Sequence, residues 1–293
     1  MLPEQFLDRM KQMLGEEFSA FLESYEQEKY QALRINPQKT TIASFMEKSP
    51  FLRKPVPWEK NGFYYDREDA PGKHPYHAAG VYYIQEPSAM APASYLDAQP
   101  GERILDLCAA PGGKSTQIAA AMGGEGLLIS NEIHPARAKI LSENIERMGI
   151  CNGMVLNESP QSLAKIFEAY FDRIMVDAPC SGEGMFRKNT EACEEWSPEN
   201  VENCAMRQQE ILNCAASMLR PGGRIVYSTC TFAPEENEGT VSYFLEEHPE
   251  FHMVEVPLYE GMSPARPEWT KHPVKDLQFG IRLFPHKLQG EGH

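Results

Sequence analysis

The chain has 293 residues, which is long enough for one large domain and a smaller one, each with its own core. A hydrophobic content of 42% is ordinary for a globular protein, and no apolar run approaches the roughly eighteen residues that a membrane-spanning helix needs. The net charge of −14 speaks against nucleic-acid binding, because phosphate groups normally attract a basic surface.

The amino-terminal quarter differs from the rest in charge and texture. Residues 1–75 carry 11 basic and 12 acidic side chains, so most of the negative charge lies further along the chain. Residues 1–48 are predicted to be mainly helical, whereas residues 49–79 are rich in Pro and Gly, which indicates loops and short strands. The first residues lack the basic and apolar regions of a signal peptide, so we expect a cytoplasmic protein.

Short apolar runs alternate with helical stretches from about residue 101, which is typical of a parallel βαβ sheet. The predicted strands are 103–107, 127–131, 154–156, 171–177 and 224–228. The predicted helices lie near 114–122, 135–148, 160–169, 199–219 and 235–247. Pro-Gly-Gly at 221–223 is predicted to separate a helix ending at Arg220 from its next strand. Ligands of such sheets bind beyond the carboxyl ends of the strands, so the residues after each strand are the candidates for function.

A glycine-containing loop follows the first predicted strand and leads into a helix; it reads DLCAAPGGKST from Asp106 to Thr116. Its glycines allow the backbone to approach a ligand, and the helix start offers unpaired N–H groups. The end of the loop imitates a P-loop, but Cys108 stands where a P-loop needs its first glycine, and a GxGxxG pattern is absent. A plain tight turn is the alternative interpretation.

Polar side chains follow the second and third predicted strands. Glu132 is placed to accept hydrogen bonds from both hydroxyls of a ribose, and an unphosphorylated ribose suits S-adenosylmethionine. Asn157 is placed to meet an adenine edge, although any loop favours Asn. These two positions predict a nucleoside site at the rim of the sheet.

Seven cysteines form no zinc-binding pattern, and their odd number argues against a disulfide framework, so we expect neither a metal site nor disulfides. Cys180 follows the fourth strand and Cys230 follows the fifth. If these strands are neighbours, the two thiols and Asp177 converge at one rim. Each cysteine alone is more simply a small core residue.

This set of groups fits methylation of carbon 5 of cytosine. A thiolate that adds to C6 turns the ring into an enamine, and C5 then accepts the methyl group of a sulfonium. An acid such as Asp177 assists by protonating or hydrogen bonding N3. Positive charge from Lys114 or from a helix N-terminus would help to ionise the attacking thiol, and the second cysteine would help to release the product.

Four segments together resemble the Nol/Nop/Sun family of RNA cytosine-5 methyltransferases: DLCAAPGGKSTQIA, NEIHPARAKIL, DRIMVDAPCSGEGMFRK and YSTCTFAPEENE. With LRINP at 33–37 and YYIQEPSAM at 82–90, the resemblance covers residues 30–293. APCSGEGMFRK and GIRLFPHKLQGEGH are most similar to the bacterial RsmF (YebU) branch, which modifies small-subunit ribosomal RNA. The resemblance implies an α/β fold: a Rossmann-like class I S-adenosylmethionine-dependent methyltransferase with a small N-terminal α+β domain.

The resemblance also implies a role for each matching residue. Cys230 would be the nucleophile, Cys180 the cysteine that aids product release, and Asp177 the carboxylate that faces the base and the methionine part of the cofactor. Asn157 is the least secure of the implied cofactor contacts, because relatives often carry Asp there. The implied contacts to S-adenosylmethionine are Cys108, Ala109, Ala110, Pro111, Gly112, Gly113, Lys114, Glu132, Asn157 and Asp177.

By the same resemblance, residues 1–79 form a domain that binds RNA and positions the substrate, and residues 80–293 form the methyltransferase domain. We expect a monomer that makes 5-methylcytosine in 16S ribosomal RNA during rRNA processing, away from any membrane. In relatives the QGEGH segment leads into a final strand and RsmF-like proteins add an RNA-binding domain, so we expect both to lie outside this chain. Three alternatives stay open: a tRNA cytosine-5 methyltransferase, a DNA enzyme in which Cys180 attacks, and a non-catalytic S-adenosylmethionine-binding ribosome-assembly factor.

Overall fold

The structure is a computed structural model that describes residues 2–49, 51 and 53–293. The described helices are α1 (Glu4–Leu14), α2 (Phe18–Glu26), α3 (Ile42–Lys48), α4 (Pro75–Ala78), α5 (Ala91–Leu96), α6 (Gly113–Met122), α7 (Pro135–Met148), α8 (Pro160–Ala164), α9 (Thr190–Glu195), α10 (Pro198–Met218) and α11 (Thr240–Glu247). The described strands are β1 (Gln31–Ile35), β2 (Gly62–Tyr65), β3 (Tyr82–Ile84), β4 (Arg103–Asp106), β5 (Leu127–Asn131), β6 (Gly153–Leu156), β7 (Phe171–Asp177), β8 (Leu219–Ser228), β9 (Met262–Pro264) and β10 (Ile281–Leu283). Among these helices none is long and apolar enough to cross a membrane.

The chain divides into two compact units. The first unit contains residues 2–29, Ala178–Asn213 and Ser228–His293, and the second contains Tyr30–Asp177 and Cys214–Tyr227. This division follows contacts in space, whereas the sequence interpretation divides the chain by role at residues 79 and 80. The division by role stays a prediction.

A parallel five-stranded sheet in the order β6-β5-β4-β7-β8 organises the second unit. Leu105 of β4 lies opposite Ile129 of β5 on one side and Ile174 of β7 on the other, and all three side chains are fully buried or nearly so. Strands β5 and β7 and helix α7 have the predicted bounds, and β4 and β6 differ by one residue. Buried parallel strands are apolar on both faces, which is why their sequence signal is strong. The predicted Rossmann-like class is confirmed.

Three predicted boundaries are wrong. Helix α10 ends at Met218 rather than Arg220, and β8 begins at Leu219 and includes the Pro-Gly-Gly run. The carbonyl of Met218 instead accepts a hydrogen bond from the N–H of Tyr170, just before β7. Helix α8 ends at Ala164, short of the predicted residue 169, and Ala169 itself has a left-handed φ of 45°, which lies outside the α-helical region.

A small antiparallel sheet in the order β2-β1-β3 also belongs to the second unit. Leu33 of β1 lies opposite Phe63 of β2 and Ile84 of β3, and it packs in an apolar cluster with Phe45 of α3. Residues 1–48 are mainly helical, as predicted, and β1 is a strand within them that the sequence did not predict. Five residues carry little periodicity of their own, and pairing with both neighbours decides their conformation.

The first unit is built around aromatic side chains. Phe6 and Met10 of α1 and Phe21 of α2 are fully buried, and they share one cluster with Phe232 and Phe284. The spacing of four residues between Phe6 and Met10 places both on one helix face. The predicted helix 235–247 begins as a five-residue π-helical turn, Glu235–Gly239, and continues as α11.

Candidate active site

Two free thiols meet in the first unit. The Sγ atoms of Cys180 and Cys230 lie 3.1 Å apart, and the N–H of Cys230 points at the Cys180 sulfur at 3.3 Å. The two residues are fifty positions apart in the sequence, so only the fold brings them together. The predicted convergence of the two cysteines is therefore present in the structure.

The Cys180 thiol ionises less readily than an ordinary thiol. Its hydrogen bond with Cys230 and its burial raise its pKa well above the ordinary value. Cys180 therefore keeps its proton at neutral pH, and its S–H is available to donate to the Cys230 sulfur.

The residue after each cysteine ties the two loops together. Ser181 Oγ and Thr231 Oγ1 lie 2.9 Å apart. The fully buried carboxylate of Glu236 accepts the Ser181 N–H at 3.0 Å and the Ser181 hydroxyl at 2.5 Å, and Gln208 donates to it at 2.7 Å. Burial raises the pKa of Glu236 to about 7, and its hydrogen bonds from Ser181 and Gln208 partly oppose that rise.

A second buried carboxylate makes the reverse connection. Glu183, on the Cys180 side, accepts the N–H of Phe232 at 3.0 Å, two residues after Cys230. Its other oxygen accepts hydrogen bonds from Arg9 at 2.5 Å and from Trp196 at 2.8 Å. Each cysteine loop thus contributes a carboxylate that binds the other loop.

Asn237 binds the residue on each side of Cys230. The hydroxyl of Thr229 donates to its Oδ1 at 2.8 Å, and its Nδ2 donates to the carbonyl of Thr231 at 3.1 Å. Sequence reasoning missed Glu183, Glu236 and Asn237. The run EENE resembles a solvated acidic surface, and nothing in its pattern marks Glu236 as buried.

The candidate cofactor loop lies in the second unit and is held from α7. Arg137 donates to the carbonyl of Ala110 at 2.9 Å, and Asn144 donates to the carbonyl of Pro111 at 2.8 Å. Gly112 has a φ of 112°, and an added Cβ would lie 3.1 Å from Leu141. A side chain at this position would therefore be strained and crowded, which explains the glycine.

Acidic groups lie at the carboxyl ends of β4 and β7. Asp106 is fully buried; it accepts a hydrogen bond from the Ser115 hydroxyl at 2.6 Å through Oδ2, while Oδ1 has no protein partner. Burial raises its pKa to about 7. Lys114 Nζ bonds to Asp177 Oδ2 at 2.7 Å, so these two predicted site residues meet. Burial raises the pKa of Cys108, and this thiol is accordingly neutral.

Glu132 and Asn157 also lie side by side. The buried Glu132 carboxylate accepts the N–H of His134 at 2.9 Å and pairs with Arg137 at 3.2 Å. Asn157 Nδ2 donates to the backbone carbonyls of Glu132 and Ile133, at 2.6 and 2.9 Å. The amide nitrogen of Asn157 thus shapes the loop after β5, and its proposed contact with adenine stays a prediction.

Comparison with known proteins assigns the chain to a family. A family model described as 16S rRNA methyltransferase RsmB/F matches residues 93–293, well over half of the chain. The chain belongs to this family. A second model, for the N-terminal domain of 16S rRNA methyltransferase RsmF, matches residues 2–87. The predicted resemblance to the RsmF branch is confirmed.

Similar proteins have names that agree with this family. Ribosomal RNA small subunit methyltransferase F of Erwinia tasmaniensis is 36% identical over 301 residues, which cover 99% of this chain and 62% of that protein. The protein of the same name from Escherichia coli O81 is 39% identical over 259 residues, covering 85% of this chain and 54% of that protein. The chain therefore spans little more than half of the length of these RsmB/F-family relatives.

Solved structures share the fold. A methyltransferase homologue from Pyrococcus horikoshii superposes with a TM-score of 0.84 at 30% identity, covering 99% of this chain and 92% of that one. The crystal structure of NSun6 from the same organism with SFG gives a TM-score of 0.78 at 21% identity, with coverage of 99% and 96%. The second likeness concerns the fold alone.

Proposed function

We propose that this RsmB/F-family chain carries the catalytic part of an S-adenosylmethionine-dependent enzyme that methylates C5 of a cytosine in RNA, with 16S ribosomal RNA as the substrate. The observation that carries the proposal is the pair of free thiols, Cys180 and Cys230, with sulfur atoms 3.1 Å apart and loops bound to each other by buried carboxylates. A pair of cysteines needed only for packing would not require such fixation. We further propose a monomer in the cytoplasm, where ribosomal RNA is found.

The residues of the candidate cofactor loop fit S-adenosylmethionine. Its amino group and sulfonium are positive, and the loop region offers carboxylates at Asp106, Glu132 and Asp177, of which Asp106 has a buried oxygen without a protein partner. The N-terminus of α6 suits the negative carboxylate of the cofactor. When bound, the cofactor supplies an electrophilic methyl group. Asp106, Glu132 and the Cys108–Lys114 loop would hold it.

Cys230 is proposed as the nucleophile. Its thiolate forms a bond to C6 of cytosine, and the electrons that leave the C5–C6 double bond make C5 able to take the methyl group. Loss of the C5 proton to a base and breakage of the sulfur–C6 bond then restore the aromatic ring and the thiolate. Cys180, which keeps its proton and lies 3.1 Å from Cys230, is proposed to assist this release.

Asp177 is proposed to hydrogen bond the base at N3 and to contact the methionine part of the cofactor. Its ion pair with Lys114 fixes its orientation, because Lys114 is largely buried. In this pair Lys114 provides the countercharge for Asp177 within the second unit. Lys114 is further proposed to favour ionisation of the attacking thiol through its positive charge.

A transfer experiment tests the proposed substrate. The 293-residue chain is incubated with methyl-labelled S-adenosylmethionine and, in parallel, with small ribosomal subunits, free 16S ribosomal RNA, tRNA and double-stranded DNA. We expect label in 5-methylcytosine of the small-subunit RNA only. Label in tRNA or DNA would replace the proposed substrate by that one, and binding of the cofactor without transfer to any of them would favour a non-catalytic assembly factor.

A further inference from the structure

The small sheet β2-β1-β3 contains a fully buried arginine. Arg34 of β1 donates from Nη2 to the carbonyl of Gly113 at 3.1 Å, and it reaches the carbonyl and the hydroxyl of Thr116 at 3.3 and 2.6 Å. Its Nε donates to Gln85 at 3.1 Å. Burial lowers the pKa of Arg34 to about 10, so the guanidinium stays charged at neutral pH. Three of its four bonds end on the first turn of α6.

The contact between the small sheet and α6 is close. A Cβ added at Gly113 would lie 3.4 Å from Gln85 and 3.5 Å from Tyr83, so these two side chains pack directly against this position. The residues that follow β1 also bind the end of α7. Asn36 donates to the carbonyl of Met148 at 2.8 Å, and Lys39 donates to the carbonyl of Arg147 at 2.8 Å.

Burying an arginine between a sheet and a helix lowers the stability of the folded protein. Burying a guanidinium removes its hydration, and apolar side chains would pack a sheet against a helix without that cost. What an arginine offers is a planar set of donors that reaches several acceptors in fixed directions. Here those acceptors are the backbone and side chain of the turn that follows the candidate cofactor loop.

We propose that Arg34 is a positioning residue for cofactor binding, which holds the first turn of α6 so that the loop Cys108–Lys114 keeps the conformation that receives S-adenosylmethionine. The inference rests on the proposed function. It gives the small sheet a role in the cofactor site, besides the RNA binding expected of residues 1–79. Arg34 also adds positive charge behind the helix N-terminus, where the carboxylate of the cofactor would bind.

The test measures binding of S-adenosylmethionine and of small-subunit RNA by the full 293-residue chain. Arg34→Lys keeps the charge but not the set of bonds, and Thr116→Val removes one acceptor with little change of shape. We expect Arg34→Lys to weaken cofactor binding about tenfold or more, the size that loss of an outer-shell partner causes at metal sites. Thr116→Val should weaken it less, and RNA affinity should change less than twofold in both.

Arg173→Lys is the matched control. Arg173 is also largely buried, and it bonds to the Leu96 carbonyl and to Glu102 near the amino ends of the strands, away from the loop. It should lower the melting temperature without changing cofactor affinity. Hydrogen exchange of the amides 113–117 should quicken in Arg34→Lys and not in Arg173→Lys.

The outcomes separate the two proposals. Wild-type protein that binds no S-adenosylmethionine contradicts the proposed function itself. If the wild type binds and Arg34→Lys binds equally well, or if Arg173→Lys weakens binding to the same extent, the positioning role is wrong. Should Arg34→Lys fail to fold, Thr116→Val decides, and unchanged cofactor affinity in that variant overturns the inference.

Discussion

The sulfur of Cys180 lies 3.1 Å from the sulfur of Cys230, and the Cys180 thiol keeps its proton. The raised pKa of the Cys180 thiol makes its own thiolate costly to form. The proposed RNA-type assignment, in which Cys230 attacks, and the DNA-type assignment, in which Cys180 does, predict opposite effects for substitution of each cysteine.

RNA that contains 5-fluorocytosine tests this assignment, because fluorine at C5 blocks the release step and traps the covalent adduct. We expect Cys230→Ser to abolish the adduct on a denaturing gel, since its hydroxyl is a far weaker nucleophile. Cys180→Ser should still form it. Loss of the adduct in Cys180→Ser with retention in Cys230→Ser would reverse the roles, and Cys204→Ser serves as a control at a buried thiol outside the pair.

The buried carboxyl of Glu236 predicts a pH dependence of stability. Its pKa rises from 4.5 to about 7 on folding, so its stabilising contribution is complete below pH 4.5 and is lost as the pH rises through 7. The full loss corresponds to about 3 kcal/mol. Glu236→Gln imitates the protonated form, because an amide can donate to Ser181 Oγ and accept from its N–H.

Urea unfolding of the wild type and of Glu236→Gln at pH 5.5 and pH 8 gives the free energy of unfolding at each pH and tests this dependence. Comparison with Glu236→Gln cancels the pH dependence of all other groups, Asp106 included. The variant should gain stability relative to the wild type as the pH rises. A difference between the two proteins that is the same at both pH values would mean that Glu236 does not titrate in this range.

Gly184 leaves room for the carbonyl of Cys230. Its N–H donates to that oxygen at 2.8 Å, and an added Cβ would lie only 3.0 Å from it. Gly184→Ala should therefore displace the loop that carries Cys230, the proposed nucleophile, by a few tenths of an ångström. We expect about tenfold slower adduct formation, since misplacement of reacting groups by about 1 Å costs roughly a hundredfold.

Gly182→Ala is the matched control for this change. Gly182 has a φ of 74°, and an added Cβ would meet no atom within 4 Å. The left-handed backbone should cost about 1 kcal/mol of stability without moving Cys230. Equal rates of adduct formation in the two alanine variants would show that the contact between Gly184 and Cys230 does not position the nucleophile.

The sequence predicts the parts of this molecule that depend on local pattern. Strands β5 and β7 contain the apolar runs 127–129 and 174–176, as expected where helices cover both faces of a parallel sheet. The convergence of Cys180 with Cys230 follows from adjacent strand ends. These inferences need only the order of the elements and the rule that parallel strands end at one edge.

The buried charged residues that hold the cysteine loops and the candidate cofactor loop could not be predicted in the same way. Glu236 binds Ser181, which lies 55 residues away, and Arg34 binds Thr116 at a distance of 82 residues. A charged side chain is usually exposed, and only the final packing determines that these two are enclosed. Their burial depends on partners whose position no local pattern records.

Arg282 and Glu238 form a buried ion pair beside the cysteine loops. Both side chains are almost fully buried, Nε donates to a Glu238 oxygen at 3.0 Å, and Nη1 donates to the carbonyl of Phe232 at 3.0 Å. Arg282→Met should destabilise the protein by about 3–5 kcal/mol, because it leaves the Glu238 carboxylate buried without its countercharge. Chemical denaturation at pH 7 measures the loss.

The exposed pair of Arg53 and Asp66 provides the comparison for Arg282→Met. Its atoms are 2.7 Å apart, closer than many buried contacts, but the two side chains are 39% and 57% exposed. Water screens such a pair, so Arg53→Met should lower the free energy of unfolding far less than Arg282→Met does. If the double variant Arg282→Met, Glu238→Leu recovers most of the stability lost in Arg282→Met, the loss came from the unpaired carboxylate. No recovery would mean that the bond from Arg282 to Phe232 is the larger contribution, and the arginine would then stabilise the protein mainly by holding the loop that follows Cys230.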